Sequence, residues 1–172
     1  DYPQLDKLIE DMWETMYASS GVGLAAPQIN RSVRLFVVDS TQIFNNLDED
    51  EAGIYPDEPG FKAVFINSHI VELDGKRWAY NEGCLSIPKV REDVSREETV
   101  TLEFLDESFL KQTHTFTGIT ARVILHEYDH IEGILFTDRL SALKRRLLKK
   151  KLENISKGLV EVDYKMKFPK LK

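Results

Sequence analysis

Two histidines four residues apart, with a glutamate directly after the first, constrain this chain more than any other feature: His126-Glu127-Tyr128-Asp129-His130. Residues i and i+4 share one face of an α-helix, so both imidazoles can aim at a single metal ion. The motif therefore asks for a helix, and Ile119 to Glu132 reads as one, opened by Thr117 or Gly118 and stopped by Gly133. Glu127 stands about 100° round the helix axis from His126. It flanks an ion instead of binding it, where it can handle the proton of a water that the ion activates. This is the geometry of a hydrolase.

Two histidines do not complete such a site, because catalytic centres usually take three protein ligands and leave a position for water. A third histidine shortly downstream is one known solution, but no histidine follows His130. The carboxylates of Asp129, Glu132 and Asp138 remain open, as does Cys84, the only thiol, which lies beside a glycine that lets backbone pass close to an ion. A lone cysteine is more often a small buried hydrophobe.

With 172 residues, one domain over 1–172 is expected, and 42% apolar against 30% charged residues is the balance of an ordinary globular chain. No run approaches the roughly 18 apolar residues of a membrane helix, and Asp1-Tyr2-Pro3-Gln4 lacks a signal layout, so membrane insertion and secretion are not expected. A single cysteine rules out an intramolecular disulfide, and a cytoplasmic location fits best.

Leu5 to Ala18 reads as an amphipathic helix, with Leu5, Leu8, Ile9, Met12 and Met16 at helical spacing. Gly21 to Gln28 reads as a shaped loop. Val33 to Asp39 is a strand, Lys62 to Leu73 holds one or two more, and Leu73 to Lys76 is a turn. Thr41 to Gly60, acidic and carrying Pro56 and Pro59, is an exposed excursion. Thr99–Leu105 and Thr113–Phe116 alternate as a hairpin. Ser141 to Ser156 is a very basic helix, and Val160 to Phe168 a last strand or tail. The fold class is α+β: largely antiparallel sheets packed around a central HExxH helix, with an N-terminal helix and a basic C-terminal helix.

Three segments, Gly21-Val22-Gly23-Leu24-Ala25-Ala26-Pro27-Gln28, Glu82-Gly83-Cys84-Leu85-Ser86 and His126 to His130, resemble in that order the three signature motifs of peptide deformylases. The similarity extends from the N-terminal helix to Leu140. It departs at Leu125, where many members have glutamine, and at Ile131, where leucine is common.

The resemblance implies metal-dependent removal of the N-terminal formyl group from formyl-methionyl peptides, by attack of metal-activated water on the formyl carbon. It implies Cys84, His126 and His130 as ligands, Glu127 as acid/base, and Gln28 with the Leu85 N–H as donors to the carbonyl oxygen. A thiolate with two imidazoles suits Fe(II), Zn(II), Ni(II) or Co(II), not Mg or Ca. The family's habit points to Fe(II) in the cell. Val22, Ile119 and Val123 are expected to take the methionine side chain, while Gly21 and Gly23 keep side chains off an extended peptide. Arg91 is expected near the peptide's path, Glu82 and Arg96 as an ion pair fixing the cysteine loop, and Asp129 as the acceptor that orients a ligand histidine.

His69 and His114 are read as structural. The basic helix is expected to dock by Leu143, Leu147, Leu148 and Leu152, and the resemblance implies transient ribosome contact through its charges. Neither membrane nor DNA is an expected partner. A zinc endopeptidase and a non-catalytic metal-binding module are the competing readings; the first predicts cleavage of internal peptide bonds, the second metal binding without turnover.

Overall fold

The computed structural model describes residues 2–47 and 59–168. Five strands form one antiparallel sheet in chain order: β1 (Gly23–Ala25), β2 (Leu35–Asp39), β3 (Lys62–Cys84), β4 (Ile87–Leu105) and β5 (Lys111–Thr117). Four α-helices accompany it among the described residues: α1 (Leu5–Ala18), α2 (Thr41–Asn45), α3 (Gly118–Ile131) and α4 (Ala142–Ser156). This is the expected α+β class. None of these helices is long and apolar enough to cross a membrane.

Side chains alternate between the two faces of a strand, and β2 shows what covers each face. Leu35 and Val37 pack with Leu8, Ile9, Met12 and Met16 of α1. Phe36 and Val38 pack with Ala121, Val123, Ile124 and Leu125 of α3. All five residues of β2 are therefore buried. Beneath α3 the Phe36 and Phe65 rings stack at 4.6 Å and Phe104 lies 4.4 Å from Phe65. A third cluster, with Ile87, Val90, Val94, Phe136, Leu140 and Ile155, joins the β3–β4 end of the sheet to α4.

Several boundaries differ from the sequence expectation. Gly23–Ala25 pairs with Phe36–Val38 as an edge strand, and residues 26–29 form a 3-10 turn, so Gly21 to Gln28 is not simply a loop. The turn expected at Leu73 to Lys76 does not reverse the chain. The register slips there between Asp74 and Arg77, Gly75 takes a φ of 78°, and β3 continues to Cys84; a bulge absorbs the turn-forming residues without ending the strand. Its partner β4 likewise starts at Ile87, well before Thr99. The acidic excursion opens with α2, and residues 48–58 lie outside the described residues. Val160 to Phe168 forms no strand.

Candidate active site

Cys84 ends β3, Ile87 begins β4, and the two pair across the Leu85-Ser86 turn. This hairpin tip meets the inward face of α3, on which His126, Glu127 and His130 are all buried. The ligand atoms of Cys84, His126 and His130 lie within 4.8 Å of one another, with the Cys84 sulfur 3.2 Å from His130 Nε2. Glutamate one step round the helix lies against β1: a Cβ at Gly23 would sit 2.6 Å from its Oε1. A side chain at this position would therefore collide with Glu127. At Gly21 an added Cβ would meet Leu85 Cδ1 at 2.8 Å.

A buried ion-pair network fixes the cluster. Arg96, the largest fully buried side chain described, donates to Glu82 through Nε at 2.7 Å and a terminal nitrogen at 2.9 Å, and to Asp129 at 2.6 Å. Glu82 also contacts His126 Nδ1 at 3.0 Å. Burial would raise the Glu82 carboxyl, but hydrogen bonds from Arg96 and His126 hold it well below the usual carboxylate range. An ionised carboxylate can only accept, so Nδ1 donates and the other ring nitrogen of His126 is left for an ion.

The histidine-orienting role expected of Asp129 therefore falls to Glu82. Asp129 instead binds Arg96 and Arg139, because its position on α3 turns it from the ligands toward the 3-10 turn at residues 136–139. The buried Glu82–Arg96 pair is as expected.

The electrostatics favour a cation. Burial pushes the Cys84 thiol up, but contacts with His126 and His130 pull it further down, well below a free thiol and toward the thiolate that a metal needs. Glu127 is raised by burial to about 7, against the pull of both histidines. Its Oε2 is buried without a hydrogen-bond partner among the described residues. One sulfur and two imidazole nitrogens suit a borderline divalent ion, and an orphaned carboxylate oxygen beside them asks for a water or substrate proton.

A cavity of about 540 Å³ opens onto this centre. Val22, Gly23, Gln28, Cys84, Leu85, Arg91, Ile119, Val123, His126 and Glu127 all line it, whereas His130 is reached through the Cys84 sulfur. Gln28 accepts from the Ala25 N–H at 2.7 Å and donates to Ser86 Oγ at 3.0 Å, with its amide nitrogen 3.6 Å from the Cys84 sulfur. Arg91 is held by Asn81 at 2.8 and 2.7 Å.

Two features were missed. Arg122, buried on α3, donates to Glu82, Val94 and Trp78 and lines the cavity; the signal was one charge inside the apolar run Ile119 to Leu125. Val162, Asp163 and Tyr164 also line it, from a segment with no motif. His114 stacks among Phe61, Phe104 and Phe116. On α4, Leu148 and Leu152 pack inward while Leu143 and Leu147 are 67% and 74% exposed, so only half of the expected leucine stripe docks.

Residues 1–146 match the family model described as polypeptide deformylase. A peptide deformylase of Christiangramia forsetii is 55% identical over 174 residues, covering 100% of this chain and 87% of that one. One of Flavobacterium johnsoniae is 54% identical, covering 98% and 85%. A solved peptide deformylase from Legionella pneumophila superposes with a TM-score of 0.73 at 38% identity, over 92% of this chain and 84% of that one. Agreement of this extent, in sequence and in fold, means that the chain belongs to the peptide deformylase family, metal-dependent hydrolases that remove the N-formyl group from nascent peptides.

Proposed function

We propose that Cys84, His126 and His130 hold the catalytic ion, that Glu127 is the acid/base, and that Gln28 and the Leu85 N–H receive the charge developing on the formyl oxygen. The observation that carries this reading is the unpartnered, buried Glu127 carboxyl oxygen beside a sulfur and two imidazoles gathered within 4.8 Å. A divalent ion held there supplies Lewis acidity, bringing the pKa of water from about 15.7 toward roughly 7.

Glu127, itself raised to about 7, is matched to take the proton of the attacking water near neutral pH. It then passes a proton to the departing amine as the bond between formyl carbon and nitrogen breaks, leaving formate. The Gln28 amide is held in place by Ala25 and Ser86. As first residue of a two-residue turn, Leu85 has its N–H outside the β3–β4 ladder. Both donors are thus set before charge builds, and losing one typically costs about 3 to 4 kcal/mol in the barrier.

Val22, Ile119 and Val123 are the proposed pocket for the methionine side chain. Among the described residues β1 pairs only with β2, and its outer edge suits a peptide added as a strand, with Gly23 and Arg91 along its path. The donor set agrees with Fe(II), Zn(II), Ni(II) or Co(II); Fe(II) is our choice for the ion in a cytoplasmic setting.

Exposed basic residues on α4, with the exposed Leu143 and Leu147, support transient docking on the ribosome. Replacing Lys144, Arg145, Arg146, Lys149, Lys150 and Lys151 should weaken ribosome binding and its salt dependence while sparing hydrolysis of free peptides; unchanged affinity would discard the docking.

Formate release from a formyl-Met tripeptide by anaerobically purified protein, with the N-acetyl tripeptide as control, tests the whole. Formate without acetate is expected, and no turnover with ferrous ion bound would contradict it.

A further inference from the structure

The segment after α4 (residues 157–168) leaves the helix and returns over the cleft. From Glu161 to Phe168 its residues alternate exposed and half-buried, with Val162, Tyr164, Met166 and Phe168 turned inward. Phe168 closes the segment on its own start, since a Cβ at Gly158 would lie 3.1 Å from the Phe168 ring. In the middle, Val162, Asp163 and Tyr164 line the cavity, and the Tyr164 hydroxyl donates to the Leu85 carbonyl at 2.7 Å. The family match ends at residue 146, before this segment begins.

We propose that residues 157–168 form a wall of the peptide cleft, and that Tyr164 is a positioning residue for the turn carrying Leu85. This rests on the assignment of the Leu85 N–H as a donor to the formyl oxygen. A two-residue turn joins Cys84 to Ile87, and neither central residue has a ladder partner to fix its peptide planes. Ser86 is held from one side by Gln28 and Leu85 from the other by Tyr164. The Leu85 carbonyl and N–H belong to successive peptide planes, so pinning the carbonyl restricts rotation about the residue whose N–H must face the substrate. The hydroxyl orients the turn, and the ring beside it supplies surface to the bound peptide.

The test separates ring from hydroxyl. For the full chain, Tyr164→Phe and Tyr164→Ala, kcat and KM for a formyl-Met tripeptide are measured with the unfolding midpoint, and the affinity for the deformylated tripeptide by calorimetry. Losing one oriented hydrogen bond should lower kcat of Tyr164→Phe by about fivefold. KM should stay within about twofold, with the midpoint and product affinity unchanged. Tyr164→Ala should in addition weaken product binding by about tenfold. An unchanged kcat in Tyr164→Phe, or a fall matched by loss of folded protein, overturns the positioning role; unchanged product affinity in Tyr164→Ala overturns the wall. Gln28→Ala run alongside tests the other donor of the same reading: unchanged kcat there contradicts the paired-donor assignment on which this rests, whatever Tyr164 does.

Discussion

Helices α3 and α4 have 14 and 15 residues, and they treat polar side chains in opposite ways. On α3, eleven residues are buried, among them Arg122, His126, Glu127, Asp129 and His130; on α4 only Ile155 is. Most charges of α4 face water, with Lys144 paired to Glu92 and Lys151 donating to the Lys89 carbonyl at the surface, so they cost little and contribute little to the fold. Inside, each polar group needs a protein partner or a reason to lack one. Glu82 takes Arg122 and His126, Arg96 and Arg139 take Asp129, and the Cys84 sulfur lies against His130. Among the described residues, Arg122 Nε and Glu127 Oε2 are the buried side-chain atoms of α3 left without a partner, and Glu127 Oε2 is the one to which the chemistry is assigned.

The largest contrast should come from Glu127→Ala. Loss of the acid/base should lower kcat by about 10² to 10⁴-fold with the ion retained; loss of the ion would mean that Glu127 is a ligand after all. Next is Arg96→Met, which strands Glu82 and Asp129 as buried, underpaired carboxylates. It should cost about 3 to 5 kcal/mol in urea unfolding, and a cost below about 1 kcal/mol would show the network to be solvated. The smallest effects belong to α4. Leu148→Ala should cost about 1 to 2 kcal/mol for a half-buried leucine, and Leu147→Ala less than about 0.5 kcal/mol. Equal losses would erase the distinction between the docked and free edges of the helix.

Helices α1 and α3 were legible in the sequence because periodicity and end signals agree: Leu5–Ala18 was read to the residue, and Gly133 stops α3 as expected. The strands were less so. Asp74-Gly75 has turn chemistry, but a bulge can use the same residues without reversing the chain. Gly23–Ala25 lacks the β-branched and aromatic residues of a strand; it is one by pairing with Phe36–Val38, and a side chain at Gly23 would collide with Glu127.

The cluster of Cys84, His126 and His130 with Glu127 was legible as motifs, while its support was not. Whether Glu82 or Asp129 faces His126 depends on the approach of β3 to α3, which no local pattern encodes. Tyr164 lies 79 residues from Leu85, and its alternating segment carried no hint of that partner.

The claim on which all else depends is that Cys84 and two histidines share one ion. X-ray absorption of the anaerobically purified protein counts its ligands directly. One sulfur at about 2.3 Å, as expected for a zinc–thiolate bond in the zinc-loaded form, with two imidazole nitrogens, is the predicted result. An inner shell of nitrogen and oxygen alone would contradict it.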